Sequence, residues 1–531
     1  MSAFSATSAR DVLRASERTH HRRIVRAAGI WGVWTLVSRI AGFAREILLA
    51  RAFGTSAAGS TIVVAQTVPN LGRVLVSEEV ARGAVLPLVT EELADEDEAE
   101  AWRLTTATAV WSTVVMAVFS VVAWLTAAWS VRVVAPGIAG KSPDFRAETT
   151  SVLRILLPLI LCSGLTASSS AFLVAKRRFG VAGIAMVGAN VPLVATLLFV
   201  RHPSVKLAAA LIAAGAALQA AMQVFGALRA RQAGRASLRA RHLLTVGRLA
   251  IPVVLTLGAA SFSGLIDIAF ASTVGTGGPA ALDKAFRLML VPYGVFAVAV
   301  GVVAMPSLVE AALRRSNEFD GELVRATRLQ AALLLPAALL LGLAATPIVS
   351  LIYQRGAFDA ASTRLTANAL VGGAFVLPAL GLSLIGSRAW LSRKRAWVPA
   401  CCSLMGLVLN GLLDWALVGP LGLLGIGIST AIVHGTLGIG FIVSAAREPR
   451  VVIRQLGSFA AKLIASNGAA VAVAIAVAAA VGLVANGLLA GVIGIGVAGA
   501  VLIGAAVVVR LDDYATIWAS LTPAARVGQG R

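Results

Sequence analysis

Long uninterrupted apolar stretches constrain this chain more than any other feature. The segments 104–131 and 467–509 are longer than the roughly 20 apolar residues that carry an α-helix across a bilayer. Hydrophobic residues make up 58% of the chain and charged residues only 13%, whereas about a quarter of the residues in a soluble domain are charged. The sequence therefore predicts an all-α polytopic membrane protein and excludes an ordinary soluble domain.

The apolar stretches number fourteen, so we expect about fourteen transmembrane helices. They lie near residues 29–51, 58–88, 104–131, 148–174, 180–200, 206–228, 249–273, 284–311, 329–353, 365–391, 397–418, 421–444, 458–484 and 487–509. If the N-terminus is cytoplasmic, the inner loops are rich in Lys and Arg and the outer loops are short and poor in them. Because cytoplasmic loops carry this excess, the pattern predicts two cytoplasmic termini. It also explains the net charge of +21 better than nucleic-acid binding does. The Ala-, Arg- and Val-rich composition hints at a bacterium, so we expect a bacterial plasma membrane.

A weak twofold pattern predicts the domain organisation. The basic segment 175–179 comes before Asn190, and the basic segment 392–397 comes before Asn410, each at a junction between a fourth and a fifth span. Two related lobes around a central cavity are a common transporter plan. The predicted parts are a basic cytoplasmic tail (1–28), an N-lobe of helices 1–6 (29–228), a basic cytoplasmic linker (229–248), a C-lobe of helices 7–12 (249–445), helices 13–14 (458–510) and a cytoplasmic tail (511–531).

Arginines inside the first span are the first sign of function. Arg39 lies ten residues into the span, about 15 Å deep, where an arginine costs about 2.5–3.5 kcal/mol. Arg39 and Glu46 are seven residues apart and share a helix face, so an internal ion pair is one interpretation. Arg45 lies off that face, so either the helix bends at Gly42 or the Arg45 side chain reaches the outer interface.

Spans two and eight add further intramembrane arginines. We expect Pro69 and Gly72 to break the regular hydrogen-bond ladder of span two just before Arg73. In span eight, Arg287 comes shortly before Pro292. Arg39, Arg73 and Arg287, with Arg45, would then form a cationic set drawn from both lobes. An anionic substrate would offset the desolvation of these groups, and the forked arginine side chain suits a pyrophosphate but not a cationic drug.

A second polar cluster is predicted in the C-lobe. Asn410 and Asp414 share a helix face, and Asp267 and Thr430 lie at comparable depths in their own spans. Their oxygen atoms suit a hard cation, but interhelical hydrogen bonding explains them equally well, so both interpretations stay open.

The sequence contains no P-loop, GxSxG or HExxH motif, which predicts a protein that is not an enzyme and has no catalytic residue.

Four segments together resemble the MurJ/MviN lipid II flippases, which share a superfamily with multidrug exporters and O-antigen flippases. They are SRIAGFAREILLARAFG (38–54), VPNLGRVLVSE (68–78), FRLMLVPYGVFAVAVGVVAMPSL (286–308) and YQRGAFDAASTRLTANAL (353–370). The resemblance runs in order from about residue 29 to residue 450. It implies fourteen helices, a central cationic cavity and alternating access. The implied substrate is the undecaprenyl-pyrophosphate-linked peptidoglycan precursor, carried from the inner to the outer leaflet.

Individual residues match the motifs of this family. The resemblance implies substrate-binding roles for Arg39, Arg45, Arg73, Glu78 and Arg287. It implies a sodium site and no other cofactor, with the ligands Asp267, Asn410, Asp414, Thr430 and, near a backbone ligand position, Ile426. The expected partners are the lipid-linked precursor, membrane lipids and cell-wall synthesis proteins, and nucleic acid is not expected.

The chain departs from the family pattern at two acidic positions. Ser60 lies where the family usually has an acid eight or nine residues before the Pro-Asn motif, and Phe286 replaces an Asp just before the eighth-helix arginine. These changes keep a second substrate open, another polyprenyl-linked glycan. Two further alternatives are a multidrug exporter, which would need acids in the cavity, and a membrane glycosyltransferase, which would need a sizeable outer loop.

Overall fold

Helices make up almost all of the part of the chain that the structure describes. In the computed structural model that part comprises residues 32–75, 85–200, 202–232, 243–314 and 318–482, with Gly29, Gly234, Gly496 and Gly499. These residues contain no β-strand, which confirms the predicted all-α fold class. The predicted tails 1–28 and 511–531, Glu78 and nearly all of span fourteen lie outside the described residues.

The helices are numbered here in chain order. The first eleven are α1 (32–53), α2 (Ala57–Leu75), α3 (Leu86–Ala94), α4 (Glu98–Leu125), α5 (Ala127–Val134), α6 (Pro136–Ala139), α7 (Pro143–Leu156), α8 (Pro158–Ala175), α9 (Phe179–Gly188), α10 (Val191–Phe199) and α11 (Val205–Ala230). The remaining nine are α12 (Leu243–Val274), α13 (Gly278–Pro292), α14 (Val298–Leu313), α15 (Glu318–Leu343), α16 (Ala345–Tyr353), α17 (Ala360–Ser392), α18 (Trp397–Leu421), α19 (Leu423–Ala445) and α20 (Pro449–Gly482). A π-helical turn, Tyr293–Ala297, joins α13 to α14.

The length and hydropathy of these helices agree with a multi-pass membrane protein. Nine helical runs within the described ranges are long and apolar enough to cross a bilayer. The expected total of fourteen stays a prediction, because span fourteen and part of span two fall outside those ranges. Polar residues cap several helix starts: the side chains of Asp97, Ser204 and Asp359 accept hydrogen bonds from backbone N–H groups of the first turn.

Contacts within the chain divide it into two compact units. The first contains the described residues within Met1–Ala52, Val64–Val131 and Asp144–Gly258, and the second those within Phe53–Val63, Arg132–Pro143 and Ala259–Arg531. The predicted boundaries of the two six-helix lobes stay a prediction.

In the first unit, α8 packs against both α4 and α11. Its core includes the buried side chains of Val89, Trp102, Leu104 and Phe172. The rings of Trp102 and Phe172 meet edge to face, with centroids 5.1 Å apart, an arrangement that adds to the stabilisation from burial.

In the second unit, α17 packs along α19 and also contacts α13 and α15. Glycines make the close approach between α17 and α19 possible. A Cβ atom on Gly427 would overlap the backbone of Gly372, and one on Gly438 would lie 2.6 Å from the Ser383 nitrogen. Small residues that let helix backbones approach are a common basis of packing in membranes, where burial from water gives little driving force.

Gly427→Ala therefore tests this packing. The added methyl group meets backbone atoms, which cannot turn aside, so we expect a loss of about 1–3 kcal/mol in stability and a lower melting temperature of the detergent-solubilised protein. Gly440→Ala in the same helix is the matched control, because nothing lies within 4 Å of its Cβ position. Equal melting temperatures for the two variants would contradict the proposed packing.

Candidate functional site

Arg45 is held inside the first unit by two polar side chains. Its Nη2 and Nε atoms donate to Glu46 Oε1 at 2.9 and 3.2 Å, and its Nη1 donates to Asn190 Oδ1 at 3.2 Å. The Glu46 side chain is only 5% exposed and the Arg45 side chain 27%. Arg45 therefore reaches across to the start of α10, and its guanidinium is both neutralised and fixed in direction.

Arg39 lies on the same helix in a different environment. It is exposed, as are its neighbours Leu36 and Ile40, and no hydrogen bond or ion pair joins it to another described residue. The alternative that Arg39 pairs with Glu46 is therefore wrong in this structure, because Glu46 pairs with Arg45.

Local packing explains how α1 is held in the first unit. The Ser38 hydroxyl donates to the Met186 carbonyl at 3.2 Å. A Cβ atom on Gly183 would collide with the Trp34 side chain, so this glycine lets α1 lie close against α9. The two contacts lie on a face of α1 other than the exposed one that carries Arg39.

Arg73 is exposed in the last turn of α2. The predicted break in the hydrogen-bond ladder at Pro69 and Gly72 does not end the helix, because α2 runs through both residues to Leu75. Proline is tolerated inside membrane helices when neighbouring groups satisfy the freed carbonyl. Gly72 has a packing role instead: a Cβ atom there would lie 2.8 Å from Phe119 Cε1 and 3.2 Å from Ile160 Cγ2.

Arg287 belongs to a charged cluster in the second unit. Its Nε donates to Asp283 Oδ2 at 2.8 Å, and Lys284 Nζ donates to the same oxygen at 3.2 Å. Asp283 lies one helical turn before Arg287, so the two side chains meet on one face of α13. Sequence reasoning missed this pair, although the i,i+4 spacing of an acid and an arginine was a sufficient signal.

Ser60 has a structural role in the second unit. It is fully buried, its hydroxyl donates to the Thr276 carbonyl at 2.5 Å, and it accepts the Ala280 N–H at 3.4 Å. A carboxylate in this place would face the Thr276 carbonyl with no proton to donate. The serine therefore ties the start of α2 to the loop that precedes α13.

The predicted oxygen cluster is present in the second unit. Asn410 Nδ2 donates to Asp267 Oδ1 at 2.7 Å and to Asp414 Oδ2 at 3.2 Å, and all three residues are at least 95% buried. The Ser429 hydroxyl donates to Asp414 Oδ1. Sequence reasoning missed Ser429, which precedes the predicted Thr430 by one residue.

The remaining predicted ligands lie beside this cluster. The hydroxyl of Thr430 donates to the Ile426 carbonyl at 2.9 Å, and the Ser429 hydroxyl also reaches that carbonyl at 3.2 Å. Asn410 Oδ1 is buried with no hydrogen-bond partner among the described residues. Two buried carboxylates, an orphan amide oxygen and a hydroxyl are donors that fit a hard cation.

Arg388 is a further intramembrane arginine that sequence reasoning missed. It is half-buried near the end of α17, inside the predicted tenth span. Gly301 leaves room for it, because a Cβ atom there would lie 2.8 Å from the Arg388 Cζ atom. Arg388 lines a cavity of about 800 Å³ with Val302, Met305 and other residues of α14. An arginine in an otherwise apolar run was the available signal.

Among solved structures, the fold resembles "Lipid II flippase MurJ, inward closed conformation". The TM-score is 0.73 at 20% identity, with 91% of this chain and 99% of that chain covered. It also resembles an inward-facing multidrug resistance MATE family transporter of the MOP superfamily, with a TM-score of 0.64 at 14% identity over 78% of this chain and 96% of that one. These two likenesses concern the fold alone.

Sequence comparison gives the family. The family model described as "Lipid II flippase MurJ" matches residues 49–501. A curated "Lipid II flippase MurJ" from Burkholderia cenocepacia is 30% identical over 410 residues, covering 75% of this chain and 79% of the relative. The chain therefore belongs to the lipid II flippase MurJ family.

Proposed function

We propose that this protein moves lipid II, the undecaprenyl-pyrophosphate-linked peptidoglycan precursor, from the inner to the outer leaflet of a bacterial plasma membrane. Family membership supports this function, and one observation about the chain's own residues carries it. Arg39 is an exposed arginine within an apolar helix and has no ion-pair partner among the described residues. A site that keeps a guanidinium free inside a membrane segment is suited to an anion.

The pyrophosphate is bound by Arg39 and Arg73, with Arg45 and Arg287 completing the cationic set. Arg45 is oriented in advance by Glu46 and Asn190, and Arg287 by Asp283, so these guanidinium groups lose little rotamer freedom on binding. Arginine donates two parallel hydrogen bonds to a phosphate group. We also propose that the four arginines line one hydrated cavity and that Glu78 contributes to it.

Alternating access moves the bound headgroup across the membrane while the lipid tail stays in the bilayer. The lobes change which side of the cavity is open, and no covalent step is needed, so the protein is a transporter rather than an enzyme. We propose that both termini are cytoplasmic, in agreement with the basic inner loops. Membrane lipids and cell-wall synthesis proteins are the proposed partners.

A cation at the oxygen cluster would couple transport to an ion gradient. Asp267 and Asp414 are buried beside each other, and two carboxylates in one apolar place repel unless a cation or a proton lies between them. Asn410 Oδ1, the Thr430 hydroxyl and the Ile426 carbonyl complete an all-oxygen donor set that suits sodium.

The second candidate substrate is another polyprenyl-linked glycan, since the arginines recognise the diphosphate rather than the sugar. The family comparisons do not favour this candidate over lipid II. A multidrug exporter is not favoured, because cationic drugs would be repelled by this arginine set.

Depletion of the protein in its own bacterium tests the substrate. If the protein moves lipid II, lipid II accumulates in the inner leaflet and is protected from externally added probes. Expression of the wild-type chain reverses the accumulation. Accumulation of a different polyprenyl-linked glycan, with lipid II unchanged, would assign the protein to the second candidate substrate.

Arg39→Ala tests the anion site. Loss of a charged hydrogen bond costs about 1.5–3 kcal/mol, so we expect flipping of fluorescent lipid II in proteoliposomes to fall about tenfold or more. Arg39→Lys keeps the charge but not the fork and should be intermediate. Arg51→Ala near the end of the same helix is the control and should leave the rate unchanged. Equal flipping rates for Arg39→Ala and Arg51→Ala would show that Arg39 does not belong to the anion site.

Asp414→Asn tests the cation site. Replacing the carboxylate removes a charged oxygen ligand, so we expect the sodium concentration for half-maximal transport to rise about tenfold or more. Asp144→Asn, in an exposed first turn of α7, is the matched control. Wild-type transport and lipid II binding that do not respond to sodium would exclude sodium as the coupling ion.

A further inference from the structure

A basic pocket lies in the second unit where three helices end. α14 ends at Leu313, α17 at Ser392 and α19 at Ala445. The cavity between these ends has a volume of about 790 Å³. Its lining combines the basic residues Arg393, Lys394, Arg395 and Arg447 with Trp390, Ser444 and the apolar residues Ala312 and Leu313. We call it the basic pocket.

The turn after α17 gathers the basic side chains. The N–H groups of Arg393 and Arg395 donate to the Trp390 carbonyl, and Lys394 donates to the Leu391 carbonyl. Lys394 has φ of +60°, a left-handed conformation that side chains other than glycine adopt at an energetic cost. The turn thus reverses the chain within a few residues and keeps three consecutive cations at the pocket.

These cations are poorly neutralised. Within the described part of the chain, no salt bridge joins Arg393, Lys394 or Arg395 to an acid. Asp320 lies near Arg393, but its carboxylate already accepts the backbone N–H groups of Arg447 and Glu448 at 2.8–3.1 Å. Burial, then the charge of Arg447, lowers the pKa of Arg393, while Asp320 opposes the shift.

The basic turn after α8 in the first unit offers a comparison, because one of its cations forms a salt bridge with an acid. Arg177 there has φ of +57°, and the turn likewise follows a long helix, α8. In that turn Lys176 Nζ is 2.7 Å from Glu98 Oε2. Lys176 of the first turn is therefore paired with an acid of the protein. In the second turn Arg393 stacks over the Phe319 ring at 4.3 Å, and no acid among the described residues forms a salt bridge with the exposed Lys394 and Arg395.

The surroundings of the basic pocket indicate a lipid rather than a soluble anion. Trp390 lines the pocket and Trp397, at the start of α18, is 54% exposed. Tryptophan is enriched at the membrane–water interface. Leu313, which is 68% exposed, extends the lining as an apolar surface beside the cations. The phosphate of a lipid at the interface would match the cations, and its acyl chain would match the apolar surface at Leu313.

We propose that the basic pocket binds the phosphate of an anionic phospholipid of the inner leaflet, with the start of an acyl chain against Leu313. Basic pockets between membrane helices on the cytoplasmic side are a recognised kind of lipid headgroup site. The site is separate from the arginines assigned to lipid II, and it does not depend on the identity of the transported lipid.

The test uses the full-length protein in detergent, titrated with dioleoylphosphatidylglycerol and followed by native mass spectrometry. We expect one tightly bound phosphatidylglycerol on the wild-type protein. The triple variant Arg393→Gln/Arg395→Gln/Arg447→Gln should bind it about tenfold or more weakly, since each basic residue near a membrane surface adds to the attraction. The single variant Arg395→Gln, at an exposed position, should show a smaller loss and keeps the test valid if the triple variant is unstable.

Matched controls separate the outcomes. Arg450→Gln/Arg454→Gln/Lys462→Gln removes the same charge from α20, outside the pocket, and should keep the tight adduct. Equal loss in both triple variants would reduce the binding to general surface attraction and overturn the proposal. Equal binding of dioleoylphosphatidylcholine, or displacement of phosphatidylglycerol by excess inorganic phosphate, would overturn the assignment to an anionic lipid.

Discussion

The cost of placing charge in hydrocarbon explains how the intramembrane arginines in the described part of this protein are held. A charged side chain at the centre of a bilayer is stable only if it is paired, hydrated or oriented toward a ligand. The structure shows the first solution at Arg45, which Glu46 and Asn190 hold, and at Arg287, which Asp283 holds. Arg39 does not follow this pattern, because no described residue pairs with it. The proposed anion site builds on this difference between Arg39 and the two paired arginines.

The same cost explains the acidic cluster of the second unit. Asp267 and Asp414 are buried with one amide donor between them and one serine hydroxyl on the far side. Two ionised carboxylates would repel in this buried place, so either a proton or a bound cation would have to lie between them. A protein that carries a diphosphate in one place and a cation in another could draw on an ion gradient, because movement of charge responds to the membrane potential by about 2.3 kcal/mol per charge for each 100 mV.

Much of the fold could be predicted because hydropathy reports directly on the bilayer. The span at 397–418 corresponds to α18 (Trp397–Leu421), and that at 421–444 to α19 (Leu423–Ala445). The sequence did not predict equally well which side chains would pair with each other. Arg39 and Glu46 share a helix face, yet Glu46 bonds the adjacent Arg45, since Asn190 on another helix fixes that guanidinium. Pro69 lies inside α2 and does not end it. Ser429 rather than the adjacent Thr430 contacts Asp414, and the spacing of residues along the chain did not distinguish these two hydroxyl groups.

The central claim, that intramembrane arginines hold a diphosphate, can be measured directly as a binding preference. Purified wild-type protein in nanodiscs would be titrated with lipid II and with an otherwise identical lipid that carries one phosphate. The account predicts that the diphosphate binds about tenfold or more tightly, since it offers a second phosphate to the arginine forks, and that Arg39→Ala combined with Arg73→Ala abolishes the preference. Equal affinity of the wild-type protein for the two lipids would contradict it.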